Sequence, residues 1–184
     1  ALQQLGISPE STLITDDEMD KIIDAIKSRL HSNILIITGG VSVGNYDFVA
    51  GALELCGVKK IFHKVKQKPG KPFYFGIKND TLVFALPGNP AAVLTCFYEY
   101  VVPAIGSFTR KEYFKKSMLP LANEYSKKKG LYSFLKGKTN ANEVVILENQ
   151  ESYQMNSFAM ADCLIELEEG KEHFTKGEPV PVLF

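Results

Sequence analysis

The sequence predicts an α/β domain followed by a small all-β domain. Three observations carry that expectation. An apolar run, Ile34-Leu35-Ile36-Ile37, ends in Thr38-Gly39-Gly40 and leads into a helical pattern, as a strand does in an open α/β sheet. Apolar residues at helical spacing alternate with strand-like runs as far as Ile105. Beyond Gly106 only short strand-like runs remain, separated by turn clusters, which suits a small barrel or sandwich.

Each element has its own local reason. Ala1-Leu2-Gln3-Gln4-Leu5-Gly6 reads as the last turns of a helix closed by a glycine cap, so the chain is expected to be the C-terminal part of a longer protein. Residues 11–14 are expected to form a short strand. Asp16 or Asp17 then caps an amphipathic helix over residues 17–31, with Met19, Ile22, Ile23, Ile26 and Leu30 on its apolar face. Residues 34–37 are continuously apolar, as in a strand covered on both faces. A second helix is expected over residues 47–56, stopped at Gly57. Residues 59–68 read as extended. Runs at 73–76 and 82–86 flank the hairpin turn Lys78-Asn79-Asp80. Asn89 caps a third helix with Pro90 at its first position, and Val93, Leu94, Phe97, Val101 and Ile105 form its apolar face.

In the second half, strand-like runs stand at 117–121, 131–135, 144–147, 163–167 and 180–184. Turn clusters such as Thr139-Asn140-Ala141-Asn142 and Lys176-Gly177-Glu178-Pro179 divide them. The division between domains is expected near residue 107, giving 1–107 and 108–184.

Composition narrows the function. The 184 residues are 45% hydrophobic and 23% charged with zero net charge, so no global field draws the chain to nucleic acid or to a membrane surface. No apolar run is read as long enough to span a bilayer, and no leader is read. The widely spaced Cys56, Cys96 and Cys163 match no metal or redox motif and read as buried free thiols in a reducing, cytoplasmic setting.

The chemistry-bearing residues fall in three stretches. In Thr38-Gly39-Gly40 the glycines permit positive φ and close approach of a ligand, so backbone N–H groups there and at the next helix can hold an anion, with Ser42 adding a hydroxyl. A tight turn that needs glycine only for its geometry is the plainer alternative. Asp47 reads either as a helix cap or as a ligand of Mg²⁺ beside a phosphate. Asp16 is open to the same two readings. Lys64, Lys66 and Lys68 alternate in an extended segment and would share a face, with Lys71 just beyond and no acid between Lys59 and Lys71. They suit either an anionic ligand or an edge strand guarded against aggregation. Pro87-Gly88-Asn89-Pro90 is explained fully by a turn and a cap; its interest lies in its company. Lys127-Lys128-Lys129 reads as a solvated turn.

Taken together, Thr38-Gly39-Gly40-Val41-Ser42-Val43-Gly44 with Asp47, then Lys68-Pro69-Gly70-Lys71-Pro72, then Leu86-Pro87-Gly88-Asn89-Pro90 resemble the MoeA-type molybdopterin molybdenumtransferases. They are also similar to the E domain of gephyrin. The resemblance covers nearly the whole chain. It implies a three-layer, MogA-like molybdopterin-binding α/β domain over residues 1–107 and a β-barrel domain over 108–184. The implied activity is insertion of molybdate into adenylylated molybdopterin with release of AMP, assisted by Mg²⁺.

The resemblance also implies roles. Asp47, Lys64 and Lys68 would be catalytic, and Asp16 and Asp47 would hold the metal. Thr38, Gly39, Gly40, Ser42, Lys71, Pro87, Gly88 and Asn89 would bind substrate. Lys136 and Ser152 match functional family positions only loosely, and an arginine is more usual where Lys136 stands. Family chains are about twice as long and work as homodimers whose sites cross the interface. This stretch alone is therefore expected to bind ligand weakly and to turn over nothing. The related molybdopterin adenylyltransferases and a gephyrin-like scaffold without catalysis are the alternatives. The lysine–proline–glycine stretch and the appended β-domain count against the first. Retention of both acids and the lysines counts against the second.

Overall fold

The computed structural model describes residues 1–41, 48–151 and 156–184. The first half is a three-layer α/β unit. Helix α1 (Met19–Lys27) precedes strand β1 (Ile34–Thr38), and α2 covers Phe48–Leu55. Strands β2 (Lys59–His63), β3 (Gln67–Lys68), β4 (Tyr74–Lys78) and β5 (Thr81–Leu86) follow. Helix α3 (Pro90–Cys96) runs through a π-helical turn, Phe97–Val101, into α4 (Val102–Thr109).

Four of these strands form one sheet in the order β1-β5-β4-β2, with β1 parallel to β5 and the other pairs antiparallel. The two-fold alternation of side chains explains the layers. Leu35, Ile37, Val83 and Ala85 face α1 and α2, whereas Ile34, Ile36, Phe84 and Leu86 face α3 and α4. Both faces of β1 are thus covered, yet Ile34 to Ile37 are only half-buried and Thr38 is exposed, because β5 is its one ladder partner among the described residues.

Several expectations are corrected. Residues 11–14 pair with no strand among the described residues, and Leu13 and Ile14 are 56% and 94% exposed. Neither Asp16 nor Asp17 caps α1. Glu18 stands at the cap position without a side-chain cap bond, and the helix runs only from Met19 to Lys27. The extended reading of residues 59–68 breaks at Lys64, whose φ is +69°. The 20-residue helical stretch Pro90–Thr109 is long and apolar enough to cross a bilayer, although the sequence suggested no such run. Here Cys96, Phe97, Val101, Val102 and Ile105 are buried against the sheet.

The second half contains β6 (Lys116–Pro120), β7 (Tyr125–Ser126), β8 (Tyr132–Asn140), β9 (Glu143–Ile146), α5 (Asn156–Met160), β10 (Cys163–Leu167), β11 (His173–Phe174) and β12 (Pro179–Leu183). The expected closed barrel is an open six-stranded sheet, ordered β3-β8-β10-β12-β6, with β9 also on β8. Beyond β6, one bridge, Leu121 to Val144, touches β9 instead of a continuous ladder. The core of this half is Leu121, Val144, Ile165, Leu167, Val180 and Val182.

Strand β3 comes from the first half of the chain but belongs to the second sheet. It lies parallel to β8, with Gln67 opposite Tyr132 and Lys68 opposite Ser133. The lysine segment therefore joins the two halves.

Candidate functional site

The rungs of the first sheet place the candidate residues on one rim. Thr38 pairs with Leu86, Tyr74 with Ala85, and His63 with Tyr74. Just past these rungs lie Gly39 after β1, Pro87 after β5, Lys71-Pro72-Phe73 before β4 and Lys64 after β2. Three inter-strand steps separate β1 from β2, about 14 Å. The loops on the carboxyl ends of parallel β1 and β5 thus share an edge with two lysines, the usual setting of a ligand crevice in an open α/β sheet.

The two glycine loops touch. The Gly39 N–H donates to Leu86 O at 3.2 Å, so this amide ties the strands together and is not a free anion donor. Gly39 and Gly40 both have positive φ, +85° and +65°. A Cβ on Gly39 would meet nothing within 4 Å, leaving that side open, whereas one on Gly40 would meet Val49 Cγ2 at 2.5 Å. A Cβ on Gly88 would lie 3.5 Å from Gly39 Cα. Glycine is therefore required for geometry at Gly40, and it leaves an open approach at Gly39.

Asn89 acts as expected. Its side-chain oxygen accepts from Ala91 N at 3.1 Å, and Pro90 follows at the first helical position. This fixes the start of the 90–109 helix on the rim beside buried Pro87.

The lysines do not share a face as alternation suggested, because Lys64 is left-handed and the chain then doubles back. Lys64 N donates to Phe73 O and Val65 N to Lys71 O, both at 2.9 Å, closing a loop over residues 65–71. Lys64, Lys66, Lys68 and Lys71 are all exposed. Lys68 Nζ lies 3.7 Å from Glu151 Oε1; both side chains are more than half exposed, so the pair holds Lys68 only weakly.

Asp16 sits at the start of α1. Met19 Cε would be 3.6 Å from a Cβ on Gly51 in α2, so this end of α1 lies beside the early turns of α2. The Asp16 carboxylate accepts from Lys21 Nζ at 2.6 Å and is largely exposed. Among the described residues no group of three or more His, Cys, Asp or Glu side chains is arranged to hold a metal. Ser42, Asp47 and Ser152 lie outside the described residues.

Lys136 stands apart from the rim. It is 4% exposed, inside the second half. Its Nζ donates to Asn149 O at 2.9 Å and Glu151 O at 3.4 Å and sits 5.8 Å from the Phe158 ring centroid. Burial holds its ammonium below the usual lysine range, partly offset by Glu151. The side chain shapes the loop that carries Glu151, the partner of Lys68.

Sequence reasoning missed two groups. One is Gln67, 3% exposed between two exposed lysines, whose amide meets Pro69, Cys96 and Tyr100. No local signal marks it. The other is Glu99 with Lys116, Glu166 and Tyr132, a polar cluster between the helix and the second sheet. An acid inside an apolar helical pattern was the available hint. Cys56, Cys96 and Cys163 are free and buried, as expected.

Residues 1–107 match the family model of a probable molybdopterin binding domain, and residues 118–184 match that of the MoeA C-terminal region, domain IV. A molybdopterin molybdenumtransferase of Haemophilus influenzae is 33% identical over 187 residues, covering 97% of this chain and 44% of the relative. Its Synechocystis counterpart is 30% identical over 177 residues, covering 92% of this chain and 43% of the relative. The chain thus spans less than half the length of these relatives. A crystal structure of a molybdopterin biosynthesis MoeA protein from Pyrococcus horikoshii superposes with a TM-score of 0.74 at 26% identity, over 91% of this chain and 41% of that one. Another from the same organism gives 0.78 at 19% identity, over 100% and 44%, and bears on the fold alone.

Proposed function

The chain belongs to the family of the probable molybdopterin-binding domain, joined to a MoeA C-terminal region, and on that premise we propose that it is the substrate-holding part of a molybdopterin molybdenumtransferase. The reaction is insertion of molybdate into adenylylated molybdopterin with release of AMP. The observation that carries this reading is the convergence of Thr38-Gly39, Pro87-Gly88-Asn89, Lys64 and Lys71 on one sheet rim.

The rim suits that substrate physically. A pterin–nucleotide joined through phosphates is elongated and anionic, and the rim offers an open approach at Gly39 with cations at one end. Thr38 and the Gly39–Gly88 contact form a floor on which a ligand can lie close to the backbone. Lys64 and Lys71 are exposed cations toward the β2 side, and Lys68, exposed on the segment between them, joins them to hold molybdate or to offset charge growing on the leaving phosphate. Asn89 orients the helix whose first turn faces the crevice.

We propose that Mg²⁺ enters as an ion carried by the ligand phosphates, since hard oxygen ligands and one or two carboxylates are its usual set. Asp16 and Asp47 would hold it, with Asp16 exchanging Lys21 for the metal. When bound, the ion neutralises phosphate charge. We further propose that the complete protein is a cytoplasmic homodimer whose partner completes the site.

The test is calorimetric titration with adenylylated molybdopterin, with and without Mg²⁺, on this chain and on Asp47→Ala. Binding that strengthens with Mg²⁺ and loses that dependence in the variant supports the reading. Mg²⁺-independent binding equal in both proteins would sink the metal assignment. No binding by either this chain or the full-length protein would sink the substrate assignment.

A further inference from the structure

Gln67 is a polar residue in an odd place. Lys66 and Lys68 on either side are exposed, yet Gln67 is 3% exposed. A buried amide must find partners or lose the free energy of its hydration. Its Nε2 donates to Pro69 O at 3.0 Å, inside the Lys68-Pro69-Gly70-Lys71 turn. The same nitrogen lies 3.5 Å from Cys96 Sγ at the end of α3. Its Oε1 accepts from the Tyr100 hydroxyl in the π-helical turn.

The turn is fitted to this clamp. Gly70 has φ +94°, and a Cβ there would meet Cys96 Sγ at 2.5 Å and Gln67 Nε2 at 2.7 Å. The inner side of the turn is thus filled by the clamp, while Lys68 and Lys71 remain exposed. The helix that receives the clamp is the same one that starts at Asn89 on the rim. One helix therefore fixes both the Pro87-Gly88-Asn89 loop and the lysine turn.

We propose that Gln67 is a positioning residue that holds the Lys68–Lys71 turn against the helix, so that its lysines meet the anionic ligand in a preset geometry. The link to the ligand rests on the function proposed above; the clamp itself rests on geometry alone. An unanchored loop would pay the cost of ordering two long side chains and its own backbone at each binding event. A clamped one has met that cost in folding.

The test uses Gln67→Met, which keeps the length and packing and removes both polar atoms of the amide, Oε1 and Nε2. Two readouts are taken. The first is native-state amide exchange at Val65, whose N–H donates to Lys71 O and so reports closure of the turn. We expect exchange at Val65 to rise about tenfold while Val83 and Ala85 in β5 are unchanged. The second is the affinity for adenylylated molybdopterin with Mg²⁺ in the full-length protein, expected to fall about tenfold. That loss should shrink below about twofold in a Lys68→Ala, Lys71→Ala background, because positioning matters only for groups that are present.

Unchanged exchange at Val65 overturns the proposal. So does a loss of affinity that persists undiminished without the lysines, or exchange that rises equally in β5, since both mark a general loss of stability. Should Val65 exchange rise while the parent protein binds no ligand, the clamp stands and the functional reading falls. Gly70→Ala approaches the same clamp from the other side and should reproduce the local rise.

Discussion

Lys116 Nζ lies 3.2 Å from Glu99 Oε2, so a cation of the second sheet reaches an acid buried in the helix of the first half. Lys116 also donates to Glu166, which accepts from Tyr132 at 2.7 Å. Two carboxylates therefore share one ammonium. Among the described residues Glu99 Oε1 is buried with no hydrogen-bond partner.

This arrangement predicts a pH dependence. Burial first, and the Glu166 charge second, push the Glu99 carboxyl from 4.5 up to about 7 against the pull of Lys116. The folded state thus holds the proton more tightly than the unfolded one. The associated stability is fully present below about pH 4.5 and is lost as pH rises toward 7. Glu99→Gln imitates the protonated form. Relative to the parent it should gain about 1–3 kcal/mol between pH 5 and pH 8. Urea unfolding of both proteins at the two pH values checks this, and a constant difference would contradict it.

The adjacent glycines should respond differently to alanine. Gly40→Ala drives a Cβ into Val49, which is 4% exposed, and should cost about 2–4 kcal/mol. Gly39→Ala meets open space and should cost only about 1 kcal/mol through its positive φ. Its larger effect should be on ligand affinity, because the new methyl occupies the open approach. Thermal melts and titrations on the two variants separate these effects.

Loss of the Asn89 cap should be a stability effect of ordinary size. Asn89→Ala leaves Ala91 N without its partner and should cost about 1 kcal/mol, with Asn89→Asp close to the parent. Chemical denaturation provides the measurement.

Three lysines should divide by role. Lys68→Ala is expected to weaken binding about tenfold with an unchanged melting temperature, since its pair with Glu151 is exposed. Lys128→Ala, at an exposed position, should change neither quantity. Lys136→Ala should lower stability by about 2 kcal/mol or more, because it removes a buried ammonium from Asn149 O and Glu151 O. Equal binding losses in Lys68→Ala and Lys128→Ala would remove the basis for the lysine assignment.

The sequence by itself determined what depends on a few neighbouring residues. The strand ending at Thr38, the hairpin across Asn79 and Asp80, the Asn89 cap with Pro90, and strand β10 over Cys163–Leu167 were all legible. Side-chain periodicity, capping bonds and turn conformations act over one to four positions, so their signals survive in a linear reading. Tertiary structure alone decided the rest. Lys64 turns left-handed because Phe73 O and Lys71 O draw the chain back. The lysine segment gains a strand partner only because β8, distant in sequence, lies alongside it. Lys136 points inward because Asn149 and Glu151 present carbonyls there. The second sheet stays open because its far edges meet at one bridge, Leu121 to Val144. Those outcomes rest on contacts between distant segments, whose energies leave no mark on local spacing.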